Sequence, residues 1–242
     1  MSTLEVTGLA ANYGLLNALD GVSLVADRGE IIAIVGANGV GKSTLLHCLA
    51  GLLTPAAGRI SYDGQDVTNL PSHERIRRGI VLVPEGRRLF SDLSVEENLR
   101  LGAFRRRHGN AAEIEEDMKS VFELFPILRE RRTQIAGTLS GGQQQMVAVG
   151  RGLMSRPSLL LLDEPSLGLA PVVSRQIFKT LAHLAQARNL TVVLVEQDAR
   201  LAFSIANRGY VMQRARIALG GSADELRNDQ RTRDIYFGKG AA

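Results

Sequence analysis

The chain has 242 residues, 45% hydrophobic and 22% charged, which supplies a sizeable core and excludes a disordered chain. One cysteine, Cys48, excludes an intrachain disulfide, and no apolar stretch approaches the ~18 residues of a membrane-spanning helix. The net charge of +4 is modest and partly local, in Arg105-Arg106-Arg107 and Arg129 to Arg132, which leaves two readings: a solvated arginine face, or attraction to nucleic acid or anionic membrane.

The start, Met1-Ser2-Thr3-Leu4-Glu5, lacks a charged-then-apolar signal pattern, so a soluble cytoplasmic chain is expected. Leu4 to Leu9 and Val22 to Val25 read as short strands, and Ile31 to Val35 as a buried strand of mostly β-branched residues. Lys42 to Leu53 reads as a helix. Asp63-Gly64 between Ile60-Ser61-Tyr62 and Gln65-Asp66-Val67 signals a hairpin with a type I′ turn. Ile80 to Val83 is another short strand. From Ser94 to Arg156 the pattern turns helical, with Ile114, Met118, Val121, Phe122 and Phe125 on one face and Met146, Val149, Gly150 and Leu153 on another. Strands resume at Leu159 to Leu162 and Thr191 to Val195, with Ile177, Leu181 and Leu184 lining a helix between them. A last hairpin over Tyr210 to Leu219 is weakly signalled, because Gln213-Arg214-Ala215-Arg216 lacks the usual turn Asn or Gly. The alternation predicts an α/β core with a largely parallel sheet and a helical subdomain inserted in it.

Three motifs carry chemistry. Gly36-Ala37-Asn38-Gly39-Val40-Gly41-Lys42-Ser43, followed by Thr44, leaves an apolar strand and opens a helix, which is the setting of a P-loop. Its backbone N–H groups and the helix start suit phosphates, Lys42 suits the β- and γ-phosphates, and the Ser43 hydroxyl suits Mg²⁺. Leu159 to Leu162 delivers Asp163 and Glu164 at the strand end, where Asp163 suits the Mg²⁺ shell and Glu164 a general base. Leu139-Ser140-Gly141-Gly142-Gln143 opens another helix, and Ser140 with Gln143 makes a capping box. A cap explains those two residues and not two adjacent glycines, which suggest a phosphate approaching the backbone from a second direction.

P-loop, Leu-Ser-Gly-Gly-Gln and apolar strand with Asp-Glu, in that order, resemble the ATP-binding cassette of ABC transporters over essentially the whole chain. The resemblance implies one cassette over residues 1–242, a RecA-like core at 1–87 and 157–242, an N-terminal antiparallel β-subdomain, and a helical subdomain at about 88–156. It implies that Ser140, Gly141, Gly142 and Gln143 serve a partner's ATP in a head-to-tail dimer, and that Tyr13 stacks on adenine. Three positions depart from the common pattern. Glu85 stands where most cassettes have Gln, Gln197 where most have His, and Ala170 where most have Asp. Pro-Glu-Gly-Arg-Arg, Pro-Ser-Leu-Gly-Leu-Ala-Pro and Val-Glu-Gln are similar to the ATP-binding subunits of branched-chain amino-acid transporters.

That likeness implies ATP and Mg²⁺ as cofactors, with Ser43, Glu85 and Asp163 on the metal and Glu164 and Gln197 at the reaction centre. It implies a second cassette, with a heterodimer favoured because the group uses two different cassettes, two membrane permease chains, and a solute-binding protein acting indirectly. The chain would then sit peripherally on the cytoplasmic face of the membrane, powering amino-acid import without nucleic acid. Cassettes of other importers, such as those for urea or amides, stay open. A soluble nucleic-acid-linked ABC ATPase is the rival, disfavoured by the single cassette and the lack of a heptad arm or metal-hook cysteines. A plain P-loop kinase has no use for the second glycine loop.

Overall fold

Strands of two kinds build two sheets. The structure, a computed structural model, describes residues 2–106 and 111–232. Strand β1 (Ser2–Tyr13) and strand β2 (Leu16–Asp27) form an antiparallel hairpin longer than the short strands expected there. Towards its end β2 alternates buried and open positions, as in a sheet with one face on a core and one in water. Strand β3 (Ile31–Val35) is buried at every residue, the mark of a central strand covered on both faces. Helix α1 (Lys42–Ala50) stops short of Leu53, because Gly51 takes a left-handed φ of 70° and closes the last turn.

Strands β4 (Ala57–Tyr62) and β5 (Gln65–Asp66) make the expected hairpin, with Asp63 and Gly64 both at positive φ. Helix α2 (Ser72–Arg77), which the sequence pattern did not reveal, leads into strand β6 (Ile80–Val83). The helical part holds α3 (Val95–Gly102), α4 (Ala111–Leu124), α5 (Pro126–Glu130) and α6 (Gly141–Leu153). The core resumes with β7 (Leu159–Asp163), α7 (Pro171–Arg188), β8 (Thr191–Glu196), α8 (Ala199–Phe203), β9 (Arg208–Gln213), β10 (Arg216–Ser222) and α9 (Ala223–Asn228).

The small sheet runs β2-β1-β4-β5 and the large one β10-β9-β3-β8-β7-β6. Within the large sheet β9, β3, β8, β7 and β6 are parallel, and only β10 is antiparallel. Chain order departs in both directions from β3, so its C-terminal end is the switch point where such sheets bind ligands. Register sets Val35 opposite Glu196 and Asp163 opposite Val195, which gathers the ends of β3, β8 and β7 at one edge.

One apolar cluster fills the space between the sheets, with Ile32 and Ile34 against Leu45, Leu46 and Leu49 of α1. The other covers the opposite face and runs without a break from Ala33 and Val35 through Leu160 and Leu162 to Met146, Val149 and Phe122. The helical part therefore shares its core with the large sheet.

One expectation holds and one is refined. The hairpin β9–β10 forms although Arg214 and Ala215 take positive φ of 48° and 64° without Asn or Gly. The Ala215 carbonyl accepts the Asp20 N–H at 2.9 Å and Arg216 pairs with Asp20, so docking on β2 offsets the turn strain. The arginine clusters are largely paired at home. Arg105 donates to the Ile76 carbonyl, Arg106 pairs with Asp117 and Arg132 with Glu96, while Arg107 lies outside the described residues.

Candidate functional site

The glycine loop leaves β3 and turns into α1 beneath β2. At Gly41 φ is 106° and an added Cβ would stand 2.3 Å from the Ala18 carbonyl oxygen, so no side chain fits there. A cleft of about 420 Å³ opens above the loop. It is lined by Tyr13, Leu16, Asn17 and Ala18, by Asn38, Gly39 and Gly41 through Thr44, and by Glu85, Glu164 and Leu167. Tyr13 stands at its rim, 49% exposed, at the tip of the β1–β2 hairpin.

Lys42 is 4% exposed and gathers the loop around its ammonium. Nζ donates to the Gly36 carbonyl at 2.8 Å and the Ala37 carbonyl at 3.1 Å, and lies 3.0 Å from Glu164 Oε1. Ser43 Oγ donates to Asp163 Oδ1 at 3.0 Å. Burial pushes the Asp163 carboxyl above its usual range, the Ser43 hydrogen bond opposes that, and Glu85 and Glu164 reinforce it. Placing two further carboxylates beside a buried one is costly for the protein alone and suits a cation. A hydroxyl with carboxylates is a hard oxygen donor set. Among the described residues no group of three or more His, Cys, Asp and Glu could hold a metal. An ion such as Mg²⁺ takes one or two carboxylates and completes its shell with phosphates and water.

Glu164 has a left-handed φ of 45° and is fixed through its N–H, which donates to the Val195 carbonyl at 3.0 Å. Gln197 follows the end of β8 and is exposed, outside the residues that line the cleft. Asp163 is likewise set back behind Ser43. Of the residues the sequence points to, the structure separates groups facing the cleft from groups set behind it.

The Ser-Gly-Gly-Gln loop caps α6 as expected, with Ser140 Oγ accepting the Gln143 N–H and Gln143 Oε1 accepting the Ser140 N–H. The two glycines have neighbours within the chain itself. A Cβ on Gly141 would meet the Arg87 guanidinium at 2.9 Å, and one on Gly142 would meet Val173 Cγ1 of α7 at 2.6 Å. Val173 of α7 already demands glycine at 142, while the Arg87 guanidinium beside Gly141 is the end of a flexible side chain that can give way, so packing within the chain accounts for the second glycine only. Ser140 is exposed, and none of the four residues lines the chain's own cleft.

Sequence reasoning missed how the Glu85 loop is held. Gly86, Arg87 and Arg88 all take positive φ, at 75°, 65° and 47°. Arg87 donates to Gln144 Oε1 at 3.0 Å, and Arg151 donates to the Arg87 and Arg88 carbonyls at 3.2 and 2.7 Å. The loop is thereby fastened to α6, directly behind Ser140. It also missed Glu196, although β8, like β7, ends an apolar run in acid.

The sequence profile of the family described as ABC transporter matches residues 19–167. The chain is 48% identical over 97% of its length and 99% of the relative's to the high-affinity branched-chain amino acid transport ATP-binding protein BraG of Pseudomonas aeruginosa. It is 35% identical to the probable branched-chain amino acid transport ATP-binding protein LivF of Archaeoglobus fulgidus, over 97% and 98% of the two chains. The ADP conformation of an ABC transporter's ATP-binding cassette superposes with a TM-score of 0.87 at 29% identity, covering 98% and 99% of the two chains. The chain belongs to the ABC transporter family as one of its ATP-binding cassettes, nucleotide-binding ATPases coupled to transport.

Proposed function

We propose that this chain is the ATP-hydrolysing subunit of an importer of branched-chain and other hydrophobic amino acids. The observation that carries the reading is the 48% identity to BraG across almost the full length of both chains. The likeness to the lipopolysaccharide export ATP-binding protein LptB of Escherichia coli is weaker, at 32% identity, so export is the less supported direction.

In this reading adenine stacks on Tyr13 and the phosphates sit on the loop from Gly36 to Thr44. Phosphate oxygens compete for the Lys42 ammonium and release Glu164 from the 3.0 Å pair. Glu164 then takes a proton from the attacking water as general base. Ser43, Asp163 and Glu85 would hold Mg²⁺, which neutralises phosphate charge when bound. Gln197 hydrogen-bonds the γ-phosphate but, unlike His, carries no titrating proton.

The remote Ser140 to Gln143 loop serves the ATP of a second cassette. Two facts support pairing: a solved bacterial ABC transporter cassette at 25% identity is dimeric, and Pseudomonas aeruginosa has both BraG and BraF as cassettes for this solute class. The second supports a heterodimer over a homodimer. No helix among the described residues is long and apolar enough to cross a membrane, so separate permease chains carry the pathway, and a solute-binding protein feeds them. A groove of about 700 Å³ with Ile76, Val83, Phe90, Leu101 and Phe104 in its wall suits an apolar permease segment. It adjoins the Arg88 end of the Glu85 loop, and residues of about 88–156 would transmit its motion. The cassette is then peripheral on the cytoplasmic face of the membrane.

Uptake of radiolabelled leucine, isoleucine and valine in cells lacking this chain tests the solute class. The reading expects uptake to fall and to return when the chain is restored; unchanged uptake would remove the solute assignment and leave the ATPase intact.

A further inference from the structure

A carboxylate buried behind the reaction centre ties together the two loops that follow Glu164 and β8. Glu196 is 2% exposed at the last residue of β8. Oε1 accepts the Ser166 N–H at 2.9 Å, and Oε2 accepts the Gln197 N–H at 3.2 Å. Ser166 lies two residues beyond Glu164, in the loop that leads to α7. The residue before Glu196 holds Glu164 itself, since the Val195 carbonyl accepts the Glu164 N–H at 3.0 Å. The end of β8 thus grips the following loop at two points, one on either side of Pro165. It also grips the Gln197 turn at a third.

The loop needs such a grip. Glu164 stands at a φ of 45°, a conformation that a non-glycine residue holds only when its surroundings impose it. Further hydrogen bonds within the loop, from Leu167 N–H to the Glu164 carbonyl and from Leu169 N–H to the Ser166 carbonyl, make it a short rigid unit. Rigidity alone does not fix where that unit points; the Glu196 carboxylate, accepting Ser166 N–H, does. Burying a carboxylate is costly, and Glu196 has no cation partner among the ion pairs of the described residues. Burial raises its pKa, while the Ser166 hydroxyl and then the Ser166 and Gln197 N–H donors lower it, a pattern that fits a group retained for its acceptor geometry.

We propose that Glu196 is a positioning residue for hydrolysis: its two oxygens set the backbone on which Glu164 reaches the water and couple that setting to the turn bearing Gln197. The inference rests on the reading of Glu164 as the general base. It does not require Glu196 to touch nucleotide, and in the structure Glu196 is outside the cleft lining.

Glu196→Gln tests it, because glutamine has one acceptor oxygen where two N–H donors must be met, and its amide would face the second N–H donor to donor. In ATP turnover by the full chain, kcat should fall about tenfold or more, as expected for a misplaced catalytic group. KM and the affinity for ATP should stay within about twofold, since the loop from Gly36 to Thr44, which carries most of the phosphate contacts in this reading, is untouched. An unchanged kcat, or a loss confined to KM, would overturn the proposal. Hydrogen exchange on the unaltered chain supplies a check that needs no folded variant: the Ser166 and Gln197 amides should be protected, and free exchange at Ser166 would overturn it equally. Glu164→Gln measured alongside separates the two readings. If that variant keeps full turnover, the general-base reading has failed; if it is inactive while Glu196→Gln is normal, only the positioning role has failed.

Discussion

At Lys42 a single ammonium serves two loop carbonyls and one carboxylate, and that economy runs through the other buried polar residues. Arg75 is 1% exposed and donates to the carbonyls of Cys48, Leu49, Leu70 and Thr68, closing the C-terminal end of the phosphate-binding helix without a carboxylate partner. Arg75→Met strands these acceptors and should cost about 3 kcal/mol, measurable as a lower midpoint in urea unfolding. Nothing in Ser-His-Glu-Arg-Ile-Arg marks that arginine out, since its partners lie in another element. Cys48 is buried on α1, and desolvation pushes its thiol up to about 11, against the opposing charge of Arg75. A thiol reagent at neutral pH should therefore leave native Cys48 unmodified and label it only after unfolding; rapid labelling of the native chain would contradict its placement. Lys42, Ser43, Asp163 and Glu164 were legible because each stands at a fixed offset from a strand end. Glu196 was not, because an acid after an apolar run reads equally well as solvated.

At the scale of elements, α6 carries more connections than its sequence reveals. The glycines at its start are fitted to Arg87 and Val173, which belong to the Glu85 loop and to α7. Gly142→Ala should lower stability by about 1–3 kcal/mol through overpacking, and Val173→Ala in the same chain should restore part of it. If thermal unfolding shows no loss for Gly142→Ala, the packing account of that glycine fails. The helical part is also tied by charge. Glu96 joins Arg132 and Arg100, and the Arg132 hydrogen bond, the largest cause, holds its carboxyl below the usual range despite partial burial. A folded-state pKa below the unfolded value means that this stabilisation is present above about pH 4.5 and is lost as pH falls through the folded value. Solvent screening at this partly exposed site limits it to about 1 kcal/mol. Glu96→Gln should accordingly destabilise the chain at pH 7, with the difference disappearing in acid. Strand and helix identities were largely legible because apolar periodicity survives tertiary context. The β9–β10 turn was not, since Asp20 on a distant strand holds Arg214 and Ala215 in place.

Across the whole molecule, the cleft proposed for nucleotide and the groove proposed for a permease segment stand apart. The cleft lies at the ends of β3 and β7, and the groove with Phe90 and Phe104 lies between β6 and the helical part. Phe90 and Phe104 are 55% and 57% exposed beside one groove, and clustered exposed aromatic side chains mark an interaction surface. Phe104→Asp should reduce amino-acid uptake about tenfold or more while leaving ATP binding by the purified chain unchanged, because hot-spot aromatics dominate docking. Parallel loss of ATP binding would place the defect in the fold instead. The order of the three motifs made the cassette family readable in the sequence, and the pairing of two cassettes remains a proposal. The grooves were not, because their walls combine residues from segments far apart in the chain.

The central claim is that this cassette hydrolyses ATP with Glu164 as the base, on a loop cradled by Lys42. Nucleotide binding and steady-state phosphate release by Glu164→Gln, measured beside the unaltered chain, test it most directly. The account predicts ATP binding of similar affinity and turnover reduced by about a hundredfold or more; undiminished phosphate release by the variant would contradict it.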